Sequence, residues 1–298
     1  MKIGRKPGSE RISTFKVKNE SSLFDFMQQA FKEKSKTSIK QLLANKLVQV
    51  DGQFQTHVTF TVKPGNVVTV GKKEIKQVKL PFHLNILFED EYLIAVVKPE
   101  GLLCNATEKE KLKTLATYVG AHFKAKNPGK LLYLVNRLDR DTSGIVVFAK
   151  SMDIKTLMVN SWGETMKNSS FLAIVEGVVN PKEGEITSYL RESKAMKVHA
   201  SKNQTYGNEA VTEYITIANR KNSSMLEVAQ RTNVKNQIRV QLQEIGHPIV
   251  GDKKYGAKTN PIGRLGLHFY RVEFIHPITK KVVEIKSKAP KGFSNYEL

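Results

Sequence analysis

The chain has 298 residues, 40% hydrophobic and 26% charged, which is enough apolar material for more than one folded core and excludes disorder as a starting assumption. No run of about 18 apolar residues occurs, and the opening MKIGRKPGSERIS has no apolar stretch behind its basic residues; neither a membrane span nor a signal peptide is expected, and the protein is expected to be soluble and cytosolic. The net charge of +20 points to a polyanionic partner such as RNA, DNA or an anionic surface, although a lysine-rich solvated face gives the same number. The single cysteine, Cys104, excludes an internal disulfide and reads as a small buried residue.

In chain order, SSLFDFMQQAFK (21–32) and TSIKQLLANK (37–46) carry apolar residues at helical spacing, with Ser21 or Ser22 as the cap of the first helix. LVQVDGQ (47–53), VTFTV (58–62) and VVTV (67–70) alternate as short strands, joined at Asp51-Gly52 and Pro64-Gly65. Residues 1–84 hold half of the net charge, so net positive charge is about twice as dense there as over the whole chain. The lysine-rich, weakly periodic segment at 72–84, with Pro81, reads as a linker. Beyond it, strands are expected near 93–98, 145–151, 170–177, 211–219, 224–230, 271–276 and 282–287, and helices near 112–124, 152–167 and 236–246. Turns as short as NRKNSS (219–224) and HPITKK (276–281) require hairpins, so the sheet is expected to be mixed or mainly antiparallel and not doubly wound.

The segment LLYLVNRLDRDTSGIVVFAKS (131–151) sets a polar stretch between two strand-like runs. That arrangement puts Asn136, Arg137, Asp139, Arg140, Asp141, Thr142 and Ser143 on a loop held by rigid neighbours, where catalytic groups are commonly carried. Arginines on both sides of Asp139 favour an ionised carboxylate able to act as nucleophile or base. A turn whose Asp and Ser cap backbone groups would present the same string. No two histidines fall at the i, i+4 spacing of a helical metal site, and the glycines form no phosphate-cradling fingerprint, so neither a metal nor a nucleotide cofactor is expected.

NRLDRDTSG (136–144) resembles the R-L-D-x-x-T-S-G signature of the RluA/RluD pseudouridine synthases, a long and specific motif. Further stretches are similar to that family in the same order: ILFEDEYLIAVVKPEGLL (86–103) with its Lys-Pro-x-Gly turn, FLAIVEGVV (171–179), NQIRVQLQEIGHPIVGDKKYG (236–256) and RLGLHFYRVEFIHPITKK (264–281). The resemblance covers roughly 85–290, and residues 21–70 are similar to the small α-L RNA-binding domain that often precedes this catalytic domain. It implies that Asp139 starts cleavage of the uracil–ribose bond, that Arg239 pairs with it, and that Arg137 fills the space vacated when the target uridine leaves its stack. Phe171 stands where the family has a base-packing Tyr, keeping the aromatic face without the hydroxyl. Asn136 replaces a His that often precedes the motif arginine, Asn233-Val234-Lys235-Asn236 replaces Gly-Arg-Thr-His, and Gln241 replaces a common His.

The expectation is therefore an α+β protein. A catalytic domain at 85–298, built on a mixed, mainly antiparallel sheet with flanking helices and a basic cleft, follows a small α/β RNA-binding domain at 1–71 and a linker at 72–84. The expected activity is isomerisation of uridine to pseudouridine in structured RNA, ribosomal or transfer, with no cofactor and by a monomer. Asp139 and Arg239 would be catalytic, Arg137, Phe171, Asn136 and Thr142 would hold the substrate, and Lys36, Lys40 and Lys46 would contact RNA. The rival expectation is a non-catalytic RNA-binding or ribosome-assembly protein that keeps the fold; release of tritium from uracil carbon 5 separates the two.

Overall fold

The computed structural model describes residues 13–71, 83–108, 110–127, 130–160 and 166–296. The chain divides into two compact units, Met1–Lys76 and Gln77–Leu298. Most of the segment read as a linker, 72–82, lies outside the described residues.

In the first unit, β1 (Ser13–Lys16) and β2 (Ser21–Ser22) precede α1 (Leu23–Ala30) and α2 (Lys36–Ala44), followed by β3 (Val48–Val50), β4 (Gln53–Phe54), β5 (Thr61–Val62) and β6 (Val67–Val70). Ser22 caps α1 by accepting from the Asp25 amide at 3.0 Å, and Ser35 caps α2 through Ser38. The β3–β4 hairpin turns at Asp51 (φ 50°) and Gly52 (φ 83°), the left-handed pair that a tight hairpin requires. The Asp51 carboxylate then accepts from Asn66 and from the Val67 amide, both at 2.7 Å, which locks this turn to the next. Leu23, Met27, Ile39 and Leu43 meet Val48, Val62 and Val68 in a separate core. The alternation at 58–62 yields strand only at Thr61–Val62, and the four-residue β1 was not visible as a pattern.

The second unit opens with β7 (Ile86–Glu89), β8 (Leu93–Lys98), α3 (Leu115–Lys126), β9 (Tyr133–Leu134), β10 (Ser143–Ala149) and α4 (Met152–Asn160). It continues with β11 (Met166–Glu176), β12 (Glu183–Glu192), β13 (Val198–Ser201), β14 (Asn208–Arg220), β15 (Ser223–Gln230), α5 (Gln237–Glu244), β16 (Leu267–Ile275) and β17 (Val282–Lys286). These strands form one sheet in the order β13-β12-β14-β15-β11-β16-β10-β8-β7, with β17 on β16 and β9 on β10. Only the β10–β16 pair is parallel among the described strands, so the sheet is mixed and dominated by antiparallel pairing.

Two expectations are corrected. The helix placed at 152–167 is described over Met152–Asn160, residues 161–165 lie outside the described residues, and Met166 is already strand; the helix expected from 112 starts at Leu115, because Glu110 accepts from the Leu112 and Lys113 amides and Thr114 caps the first turn. β12 and β13 were not anticipated: in EGEITSYLRE the buried face consists of Ile186, Ser188 and Leu190, and a buried serine between charged ends hides the alternation.

The sheet parts at one place. Along one edge of β10, Phe148 and Ala149 pair with β9, while Ser143 and Gly144 pair with His268 and Phe269 of β16. The polar 136–142 stretch springs from this fork. Its far end is pinned by a close approach: at Gly144 (φ +130°) an added Cβ would lie 2.3 Å from the Phe269 carbonyl oxygen.

Candidate active site

The loop leaves few of its groups unattached. The Asn136 amide spans to β10, donating to Ile145 O at 3.2 Å and accepting from the Val147 amide at 2.8 Å. Cys104, buried as expected, accepts from the Leu138 amide at 3.2 Å and donates to the Leu138 carbonyl at 3.3 Å. Burial pushes the Cys104 thiol up, which keeps its proton available for that bond. The Lys98 ammonium, fully buried, donates to the carbonyls of Pro99, Leu102 and Arg140, at 2.9, 2.7 and 2.7 Å. Thr142 is buried beneath the loop, its amide bonded to Asp139 O at 3.2 Å. Arg137 is exposed, and Arg140 pairs with its neighbour Asp141.

Asp139, itself one-third exposed, accepts from Arg239 Nη1 at 2.9 Å. Arg239 reaches it from α5, a helix whose start is set by Asn236 in the left-handed conformation (φ 56°), a geometry asparagine tolerates better than most residues. The other two nitrogens of the Arg239 fork, Nε and Nη2, bind the Asp252 carboxylate at 2.7 and 2.8 Å. Asp252 is fully buried, and the Arg239 guanidinium lies over the Tyr255 ring at 5.0 Å. Burial opposes charge on Arg239, but the two-point bond from Asp252 and the contact with Asp139 outweigh it and hold the guanidinium above its ordinary pKa. A permanently charged donor therefore fixes Oδ2 of Asp139, while Oδ1 has no hydrogen-bond partner among the described residues. Asn236 also accepts from Arg239 at 3.3 Å and donates to the Tyr255 hydroxyl at 2.9 Å.

Asp139 and Arg239, 100 residues apart in sequence, are thus brought together, with Asn136 and Thr142 in the same loop. Phe171 lies in the sheet, 8% exposed, stacked on Phe269 with ring centroids 4.5 Å apart. Gln241 is buried and donates to Ile186 O, Ser188 Oγ and Ala210 O, which ties α5 to β12 and β14. Lys36, Lys40 and Lys46 are exposed on the first unit, Lys40 reaching over the Phe24 ring at 5.8 Å. Asp252 was not identified from sequence as a site residue; its only signal was a place in the GDKKYG stretch. Among the described residues no group of three His, Cys, Asp or Glu side chains could hold a metal.

Two outcomes are expected from this geometry. Phe171→Ala should lower stability by about 3–5 kcal/mol through the cavity left beside Phe269, and lose turnover with it, whereas Phe171→Tyr should keep both; urea melts beside single-turnover rates measure the pair, and equal damage from Tyr would mean the ring edge has no room. Lys98 offers a pH test, because burial pushes its pKa from 10.5 down to about 8, with Cys104, Asp141 and Asp139 pulling it back. Between those values the unfolded chain holds a proton that the folded chain has released, so stability due to Lys98 rises with pH across roughly pH 8 to 10.5. The urea midpoint of the native protein should therefore gain on that of Lys98→Met from pH 7 to pH 10; parallel midpoints would refute the shift.

Comparison with known proteins places these features in a family context. The family model described as RNA pseudouridylate synthase matches residues 92–244. An uncharacterized RNA pseudouridine synthase of Mycoplasma pneumoniae is 30% identical over 277 residues, covering 88% of this chain and 87% of that one. The ribosomal large subunit pseudouridine synthase D of Neisseria meningitidis is 27% identical over 245 residues, covering 78% of this chain and 64% of the relative. In the solved structure of human RNA pseudouridylate synthase domain containing 4, the same fold recurs at 22% identity, with a TM-score of 0.57 over 70% of this chain and 90% of that one.

Proposed function

This chain belongs to the RNA pseudouridylate synthase family and is an RNA pseudouridine synthase, and from that premise we propose that it acts on ribosomal RNA with Asp139 as the group that opens the glycosidic bond. The observation that carries the residue assignment is the Asp139–Arg239 pair at 2.9 Å on a loop otherwise tied down at Asn136, Leu138, Arg140 and Ser143. A carboxylate with one oxygen held and one free can attack ribose carbon 1′, add to uracil carbon 6, or take the ribose 2′ proton. In each route the N1–C1′ bond breaks, the uracil turns, a C5–C1′ bond forms, the C5 proton leaves to solvent and N1 gains a proton. The atoms balance without a co-reactant.

A uridine inside a helix cannot reach Asp139, so the base must leave its stack at a cost of a few kcal/mol. The exposed guanidinium of Arg137, two residues before Asp139, is suited to stack in the vacated position. The ribosomal substrate is supported by the likeness to the large-subunit enzyme of Neisseria meningitidis. In this reading the first unit is an RNA-binding domain on the 72–84 linker, and Lys36, Lys40 and Lys46 contact phosphates. Reversing those three charges to Glu should raise KM, leave kcat within about an order of magnitude, and flatten log K against log salt by at least 0.7–0.9 unit per lost contact. An unchanged salt slope would make that face a solvated surface.

The experiment for the whole reading is tritium release from RNA labelled at uracil carbon 5, with pseudouridine mapping in cells with and without the gene. Release with loss of large-subunit pseudouridines supports it. Loss confined to transfer RNA changes the substrate, and no release returns the chain to a binding role.

A further inference from the structure

A third buried cation, after Arg239 and Lys98, meets the same loop. Arg264 lies just before β16 and its side chain is 8% exposed. Its Nη1 donates to Glu100 at 2.8 Å, its Nη2 to Ser143 Oγ at 2.6 Å, and its Nε to Leu265 O at 3.1 Å, with the Phe293 ring 5.8 Å away. Glu100 belongs to the Lys98–Gly101 turn, and its carboxylate side is half exposed; Ser143 closes the loop four residues after Asp139 and is buried.

One arrangement of the hydrogen atoms gives every group in this network a partner. A guanidinium only donates, so Ser143 Oγ accepts from Arg264, and its single hydrogen then finds an acceptor in His268 Nδ1, 2.7 Å away. His268 therefore carries its proton on Nε2 and donates it to Ser287 Oγ at 3.1 Å, which in turn donates to Lys288 O at 3.3 Å. The chain works only with neutral His268, and burial together with the Arg264 charge pushes that imidazole down to about 3. A buried guanidinium whose one carboxylate partner among the described residues is half in solvent is a costly filler, since taking such an ion out of water is unfavourable and an apolar side chain of similar volume would serve packing better. What the charge provides is direction: the planar fork ties Glu100 of the Lys98–Gly101 turn to Ser143 at the end of the loop.

Resting on the reading of Asp139 as the reacting group, we infer that Arg264 is a positioning residue for the isomerisation, acting through Ser143 to set the direction of the Asp139 carboxylate. Asp139 is then aligned from two sides. Arg239 holds the carboxylate itself, and Arg264 holds the backbone that carries it.

The test uses the full chain and RNA labelled at uracil carbon 5, with Arg264→Met, Arg264→Ala, Arg264→Lys, Ser143→Ala, and Arg271→Met as a control in an exposed ion pair on β16. Arg264→Met and Ser143→Ala should each cut single-turnover kcat at least tenfold, with RNA affinity and KM within about threefold, and the double variant should be no slower than the worse single one. Ethylguanidinium at low millimolar concentration should restore part of the kcat of Arg264→Ala and none of that of Ser143→Ala; Lys, lacking the fork, should recover little. Native kcat in Arg264→Met, a loss lying wholly in KM, or a loss that disappears when rates are scaled to the folded fraction would each overturn the inference. If Arg264→Met does not fold, Ser143→Ala decides, since it removes one oxygen and no charge. Native protein active and Asp139→Asn inactive alongside an unaffected Ser143→Ala means that only this inference fails; inactivity of the native protein means that the underlying reading fails.

Discussion

Asp139→Asn should abolish turnover, lowering the single-turnover rate by at least about three orders of magnitude, while RNA affinity stays within a few-fold. The substitution keeps the size of the side chain and an oxygen able to accept from Arg239 Nη1, now 2.9 Å from the carboxylate, so the loop should hold its place. What disappears is the anionic oxygen. All three routes open to the carboxylate use that charge, as nucleophile or as base. Tritium release at saturating RNA measures the effect, with filter binding as the control for affinity. A variant that turns over near the native rate would move the reacting group elsewhere, and one that loses affinity in step with rate would make Asp139 a binding residue.

The largest expected loss of stability comes from Gly144→Ala. Here φ is +130°, which disfavours any L side chain, and the added methyl carbon would meet backbone atoms of Phe269 at 2.3 and 2.6 Å. Backbone cannot swing aside as a flexible side chain can, so β10 and β16 would have to separate at their only two paired positions, Ser143–His268 and Gly144–Phe269. A cost of more than about 4 kcal/mol is expected, enough to leave much of a marginally stable unit unfolded. Gly101→Ala is the comparison, since it also has positive φ (+76°) but meets nothing within 4 Å, and should lose only about 1 kcal/mol. Urea unfolding of both variants checks the contrast. Equal costs would mean that conformational strain and not close approach governs Gly144.

What could be read from the sequence, and what could not, follows from the range of the interactions. Ser22 as a cap, Asp51-Gly52 as a hairpin turn, and the strands at 93–98 and 224–230 depend on neighbours a few residues away, and they are visible in pattern. The 136–144 stretch stood out in the sequence through its resemblance to the R-L-D-x-x-T-S-G signature, since its residue types alone would equally suit a turn. Asp252 was not, since its meaning arises only when Arg239 turns two of its three donor nitrogens toward it. The hydrogen-bonded chain from Arg264 to Ser287 was equally hidden: Ser143 and His268 are 125 residues apart, and although Ser143 lies in the motif, no local pattern couples it to His268. Asn136 is a middle case. As a motif position it suggested contact with substrate, and the structure gives its amide two partners in the backbone of β10.

The parallel pairing of β10 with β16 also bears on when the protein can first act. The loop is complete once residue 144 has been made, but its partners at Arg239, Asp252, Arg264 and His268 belong to the last quarter of the chain. Contacts this distant in sequence form late, because closing long loops costs entropy before any pairing rewards it. A chain still growing from the ribosome thus carries Asp139 without its support until nearly all of it has emerged. An incomplete copy lacks the contacts that hold the Asp139 loop, Arg239 and Arg264 included.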